Sequence, residues 1–159
     1  MLTEPERQER IAKIREFPKT LGDAVKGLTD QQLDTLSAEG EWTVRQIAHH
    51  MVDACLNQFV RMRLVLTEEK PILKPFGQDE WARLPDSLRG PLAPSFSILK
   101  GLCQRWRELL KSVSGPAWER WGMHLEAGKL TVDDILAGAA RHLEEHLAQI
   151  QGLRKKMGW

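Results

Sequence analysis

The residues in this chain best suited to chemistry are its five histidines. His142 and His146 stand four apart in a segment of helical pattern, so their side chains share one face. At 100° per residue, Val132, Leu136, Ala139, Leu143, Leu147 and Ile150 define an apolar stripe. His146 falls about 50° and His142 about 90° from its centre, on the same flank. Such an H-x-x-x-H pair can offer one metal ion two imidazole nitrogens at about 2.0–2.1 Å. Gly138, one turn earlier, leaves room beside the pair. A third ligand has to come from a facing helix, and His49-His50 is the imidazole source there. Neighbours on a helix diverge by about 100°, so one of the two at most can reach the site. Periodicity does not choose, because both lie equally far from the stripe through Val44, Ile47, Ala48, Met51, Cys55 and Met62. A helical His pair also has a plain structural use, half-buried and satisfied by carboxylates, and Glu144 and Glu145 are close by in sequence.

Four long segments carry the helical period that would position these residues. The clearest spans about 94–114, with Leu99, Leu102, Cys103, Trp106, Leu109, Leu110 and Val113 on one side. Another runs over 43–66 and opens on a Thr43-x-x-Gln46 capping box. The last covers 131–156, with Asp133 and Asp134 at the positive end of the helix dipole and Arg154, Lys155 and Lys156 at the negative end. The first, 6–28, is interrupted by Pro18, which predicts a kink or break near Phe17. Between them, 67–93 holds four prolines and Trp81 on a short helical turn, and 115–130 holds Trp118, Trp121 and His124. Little reads as strand. The expectation is an all-α four-helix bundle with two elaborated connections, one domain over residues 1–159.

Composition narrows the function. Forty-two per cent hydrophobic and 28% charged residues make a chain of 159 an ordinary globular one. Twenty-three basic against twenty-two acidic residues leave a charge of +1, which argues against nucleic acid or an anionic membrane as the main partner. No apolar run approaches a membrane span. The charged start MLTEPERQER has no signal-peptide core. Cys55 and Cys103 fall in apolar helical patterns and read as core residues, so the cytoplasm is the expected location.

The stretch 40–53, GEWTVRQIAHHMVD, resembles the signature of the DinB/YfiT-like superfamily. These are four-helix bundles with one metal-ligating His after a Trp-[Ser/Thr]-x-x-[Glu/Gln] entry and two more from a His-x-x-x-His pair on the last helix. Counted from Gln46, the family His falls on His50, and the pair falls on His142 and His146. Residues 56–61, Pro71, Pro75, Trp81 and Arg105-Trp106 resemble the YfiT branch, and the likeness covers about 11–154. Some relatives carry further histidines where Cys55 and Gln149 stand here.

The resemblance implies a divalent cation, zinc or nickel first, one per chain and held by His50, His142 and His146, with positions open for water or substrate. It also implies a metal-dependent hydrolase or transferase acting on a small molecule. The attacking group would be water or a low-molecular-weight thiol such as bacillithiol, mycothiol or glutathione, and thiol transfer is the favoured chemistry. A homodimer is the expected assembly. The alternative is a stress-associated metal-binding bundle without turnover. No general acid or base is legible. Asp53 is a candidate to orient the other ring nitrogen of His50. Asn57 and His124 could line the pocket, Trp42 could wall it, and Arg61 or Arg63 could take a substrate carboxylate. Each also has an ordinary surface or packing role. Met51, Met62 and Trp106 read as core.

Overall fold

The computed structural model describes residues 1–36 and 41–159. Four long helices dominate: α1 (Glu4–Val25), α3 (Val44–Thr67), α6 (Leu92–Ser112) and α7 (Val132–Met157). α1 and α3 each pack on both α6 and α7, so they lie diagonally across the bundle. The short α2 (Asp30–Leu33) belongs to the connection between them.

Local chemistry sets the helix starts. Thr43 Oγ1 accepts from the Gln46 amide at 3.2 Å while Gln46 Oε1 accepts from the Thr43 amide at 2.9 Å, the reciprocal box that satisfies two orphan donors. Thr131 and Asp134 do the same for α7. Asp133 sits with Asp134 in the first turn of α7 as expected, and it is also 2% exposed and takes two hydrogen bonds from Arg7 and one from the Leu2 amide, tying α7 to the first turn of α1.

Pro18 does not break α1, which runs through it without interruption. Ile11, Ile14, Phe17, Leu21 and Ala24 form one buried stripe on both sides of the proline. Burying that stripe outweighs the roughly 3 kcal/mol that an interior proline costs. The core they enter contains Trp106, fully buried, with its indole N–H donating to Met62 Sδ at 3.1 Å.

The elaborated connections are more structured than the pattern suggests. The first holds β1 (Ile72–Leu73), α4 (Gln78–Ala82), which contains Trp81, and α5 (Pro85–Arg89). The second holds a 3₁₀ turn over Gly115–Glu119 and the strands β2 (Trp121–His124) and β3 (Gly128–Thr131). β2 pairs antiparallel with β3 and parallel with β1, Leu73 opposite His124, so a small sheet fastens one connection to the other. Strands of two and four residues are too short to show an alternating pattern. A Cβ on Gly122 would come within 2.9 Å of both the Leu73 side chain and the Pro71 carbonyl oxygen, so the close approach of β2 to β1 requires glycine there. Among the described residues no helix is long and apolar enough to cross a membrane.

Candidate metal centre

α3 and α7 face one another, and their packing brings His50, His142 and His146 together. One nitrogen from each ring lies within 4.8 Å of the others. His50 Nε2 and His142 Nε2 are 2.9 Å apart. The rings stand edge to face, with centroids 4.5–5.2 Å apart, so their nitrogens converge instead of their faces stacking.

The structure separates the two neighbours that periodicity could not. His49 turns toward α5 and α6: its Nε2–H donates to the Gly90 carbonyl at 3.2 Å, and its Nδ1 meets Ser95 Oγ at 2.8 Å. Both of its nitrogens are engaged in holding helices together. His50 is the one that faces α7.

The environment keeps the three rings neutral. Burial, then the proximity of His142 and His146, lowers the pKa of His50 to about 3. Burial, then His146, lowers that of His142 to about 4. Burial also lowers His146, against a hydrogen bond to Gln149. That bond joins His146 Nδ1 to Gln149 Oε1 at 3.0 Å. An amide oxygen accepts, so the proton sits on Nδ1 and the lone pair on Nε2, the form a metal ligand needs. Three neutral imidazoles, each with one nitrogen converging on the same point, fit a divalent cation.

Around the triad, Trp42 stacks on His146 at 6.1 Å and 8° and tilts over His50 at 4.5 Å. Phe76, in the loop between β1 and α4, also stacks against His50, at 6.1 Å. Gln46 Nε2 donates to the Ala82 carbonyl at 2.8 Å, pinning α4 to the first turn of α3. Two cavities of about 500 Å³ open beside the triad and share His142. One reaches past Gly138 to Gln58, Arg61 and His124. The other lies under Trp42 and Gln149.

The remaining candidates divide. Trp42 walls the site, and His124 lines the first cavity, its Nδ1 accepting from the Glu126 and Ala127 amides. Asp53 makes no hydrogen bond to His50. It therefore does not orient the His50 ring, and burial and Asp86 raise its own pKa to about 6. Asn57 donates to the Asp53 carbonyl and does not line the cavity, which Gln58 does in its place. Arg63 is exposed over Phe59, whereas Arg61 is buried at the cavity. Gln149 joins the site, but Cys55 does not: it is buried beside Cys103, and that hydrogen bond together with burial holds its thiol well above the ordinary range. Phe76 carried no sequence signal and Gln58 only its place in the 56–61 stretch, since an amide on a helix and a loop phenylalanine become site residues only through the packing around them. Gly40, the first residue of the signature stretch, lies outside the described residues.

Comparison with known proteins identifies the family. The DinB superfamily model matches residues 13–150. A Geobacillus kaustophilus protein named "Putative metal-dependent hydrolase" is 42% identical over 153 residues, covering 96% of this chain and 86% of its own length. A protein of the same name from Oceanobacillus iheyensis is 38% identical over 151 residues, covering 95% and 87%. The solved structure of YfiT from Bacillus subtilis, described as a probable metal-dependent hydrolase with an unusual four-helix bundle topology, superposes with a TM-score of 0.97 at 33% identity, covering 100% of this chain and 91% of YfiT. With its bundle, its histidine triad and a family match over most of its length, the chain belongs to the DinB superfamily.

Proposed function

We propose that His50, His142 and His146 hold one divalent cation, zinc or nickel by the preference of an all-imidazole set, and that the protein is a metal-dependent enzyme acting on a small electrophile. The observation that carries the reading is the convergence of three neutral imidazole nitrogens at the junction of two open cavities. A cation bound there supplies Lewis acidity, which lowers the pKa of a water or thiol by several units and readies it for attack at neutral pH.

The chain's own side chains would do the rest. Gln149 holds the proton of His146 on Nδ1. Trp42 and Phe76 pack against His50 and restrict water there. Two cavities meeting at His142 suit two organic reactants, a thiol in one and its electrophile in the other, and this favours a low-molecular-weight thiol as the attacking group. The hydrolase names of the relatives support the second reading, in which water attacks instead.

The test is to load tag-free protein with zinc or nickel and follow loss of free thiol against an activated aryl chloride, with an activated ester and no thiol in parallel. The thiol reading predicts metal-dependent conjugation that His142→Ala abolishes. Ester cleavage without conjugation would select water. Neither reaction, in a protein shown to carry metal, would leave a metal-binding bundle without turnover.

A further inference from the structure

Among the described residues Arg45 and Arg61 are the buried arginines and Arg7 is half-buried; Arg45 and Arg7 are both paired with carboxylates. Arg45 donates to Asp34 at 2.6 Å, to Asp30 at 2.8 Å and to the Gly90 carbonyl at 3.1 Å. Arg7 makes a two-pronged pair with Asp133. Arg61 is the exception. It is 8% exposed, yet among the described residues no carboxylate lies within ion-pair distance of it. Its Nη2 donates to the Lys74 carbonyl at 2.8 Å, and its Nε is buried with no hydrogen-bond partner. A buried guanidinium without a counter-charge is costly to fold and calls for an anion.

Its surroundings show where that anion would come from. On α3, Ala54, Gln58 and Arg61 follow His50 along one side of the helix, and all three line the cavity that His142 borders. Ala54 and Gly138 are small, and a Cβ on Gly138 would meet nothing within 4 Å, so the space between the triad and Arg61 is open. Gln58 Oε1 is a second buried polar atom without a partner. His124 completes the far end. Because its Nδ1 accepts from two backbone amides, its neutral ring carries its proton on Nε2 and can donate. Phe76 spans the gap, its ring 6.1 Å from the His50 ring and 6.0 Å from Arg61 Cζ.

We infer that Arg61, with Gln58 and His124, forms a subsite for a carboxylate on the substrate, at the opposite end of the cavity from the histidine triad. The inference rests on the reading of the triad as the reactive centre and adds a substrate class to it: an extended small molecule with its reacting atom at the triad and a carboxylate several bonds away. The helix axis between His50 and Arg61 spans about 16 Å. The arginine side chain shortens this by reaching back toward the amino end. A monocarboxylate fits better than a phosphate. Glu80, Glu126 and Glu145 are exposed at the cavity's edge, where they would repel a dianion more strongly. Glu126 is the nearest rival counter-charge, but it makes no ion pair with Arg61.

The probes are hexanoate and hexanamide, alike in length and shape and different in charge. Calorimetric titration of metal-loaded protein should show hexanoate binding about tenfold more tightly, the value of one charge-assisted contact. His142→Ala should keep that preference, because it leaves Arg61 in place. Arg61→Gln should abolish it while metal content stays unchanged. If Arg61→Gln does not fold, the wild-type protein still decides: the Arg61 Nε–H resonance, assigned with Arg61→Lys, should shift with hexanoate and not with hexanamide. Equal binding of the two probes, or a preference that survives Arg61→Gln, would overturn the proposal. A preference lost in His142→Ala would overturn it too, by placing the carboxylate at the metal. If the wild type carries no metal but still prefers hexanoate, the triad reading fails and the anion site stands.

Discussion

Acid should weaken the metal-stripped protein through its histidine triad, by an amount the structure allows to be worked out. His50 titrates near 6.5 in the unfolded chain and about 3 in the fold. Below pH 6.5 the unfolded chain therefore takes up a proton that the folded one refuses. Stability is highest above about pH 7, falls as the pH drops through 6.5, and levels off once the folded ring is also protonated. Between pH 7 and pH 5 the loss from His50 is about 2 kcal/mol at 1.36 kcal/mol per pH unit. His142, lowered to about 4 but partly open to solvent, adds about 1 kcal/mol after screening is allowed for. Asp53 acts in the opposite sense. Its folded pKa of about 6 lies above its unfolded value, so it gives back at most about 1 kcal/mol over the same interval. Comparison with His50→Gln removes Asp53 from the result, because both proteins contain it. Urea unfolding of the two metal-stripped proteins at pH 7 and pH 5 should show the wild type losing about 2 kcal/mol more, a shift of about 1 M in midpoint. Equal losses in the two proteins would refute the claim that packing holds His50 neutral.

Three further outcomes follow from packing. Gly138→Ala meets no atom within 4 Å on an α7 turn, so it should stabilise the protein by about 0.5–1 kcal/mol and raise Tm by a few degrees in a thermal melt, with metal uptake unchanged. Gly122→Ala should cost about 1–3 kcal/mol in urea unfolding, because its Cβ would press on the Pro71 carbonyl and Leu73. Arg45→Met should cost about 2 kcal/mol on the same assay, since it frees α2 and the Gly90 carbonyl from α3. The loss stays modest because Asp30 and Asp34 can return to water.

What was legible in the sequence depended on how local its cause was. The Thr43-x-x-Gln46 box and the apolar period placed α3 almost to the residue, and four-residue spacing put His142 and His146 on one face. The choice between His49 and His50 was not local. It is made by the Gly90 carbonyl and Ser95, which approach α3 from elements more than forty residues away and hold His49. Asp133 stood in the first turn of α7 as read, but its pairing was not legible for the same reason, since its partner Arg7 lies 126 residues distant. Pro18 followed the local rule in losing a backbone donor, and the buried stripe through Phe17 overruled it. The small sheet had too few residues per strand to leave a pattern. The cavity lined by Gln58 and Arg61 exists because the sheet, the Phe76 loop and two helices meet, which no single window of sequence contains.

His50, His142 and His146, and not the neighbouring His49, should hold a divalent metal. Elemental analysis of tag-free protein after reconstitution with zinc or nickel tests this most directly, with His142→Ala and His49→Ala alongside. About one metal per chain is expected in the wild type and in His49→Ala, and almost none in His142→Ala. Metal retained by His142→Ala, lost from His49→Ala, or absent from the wild type would contradict this assignment.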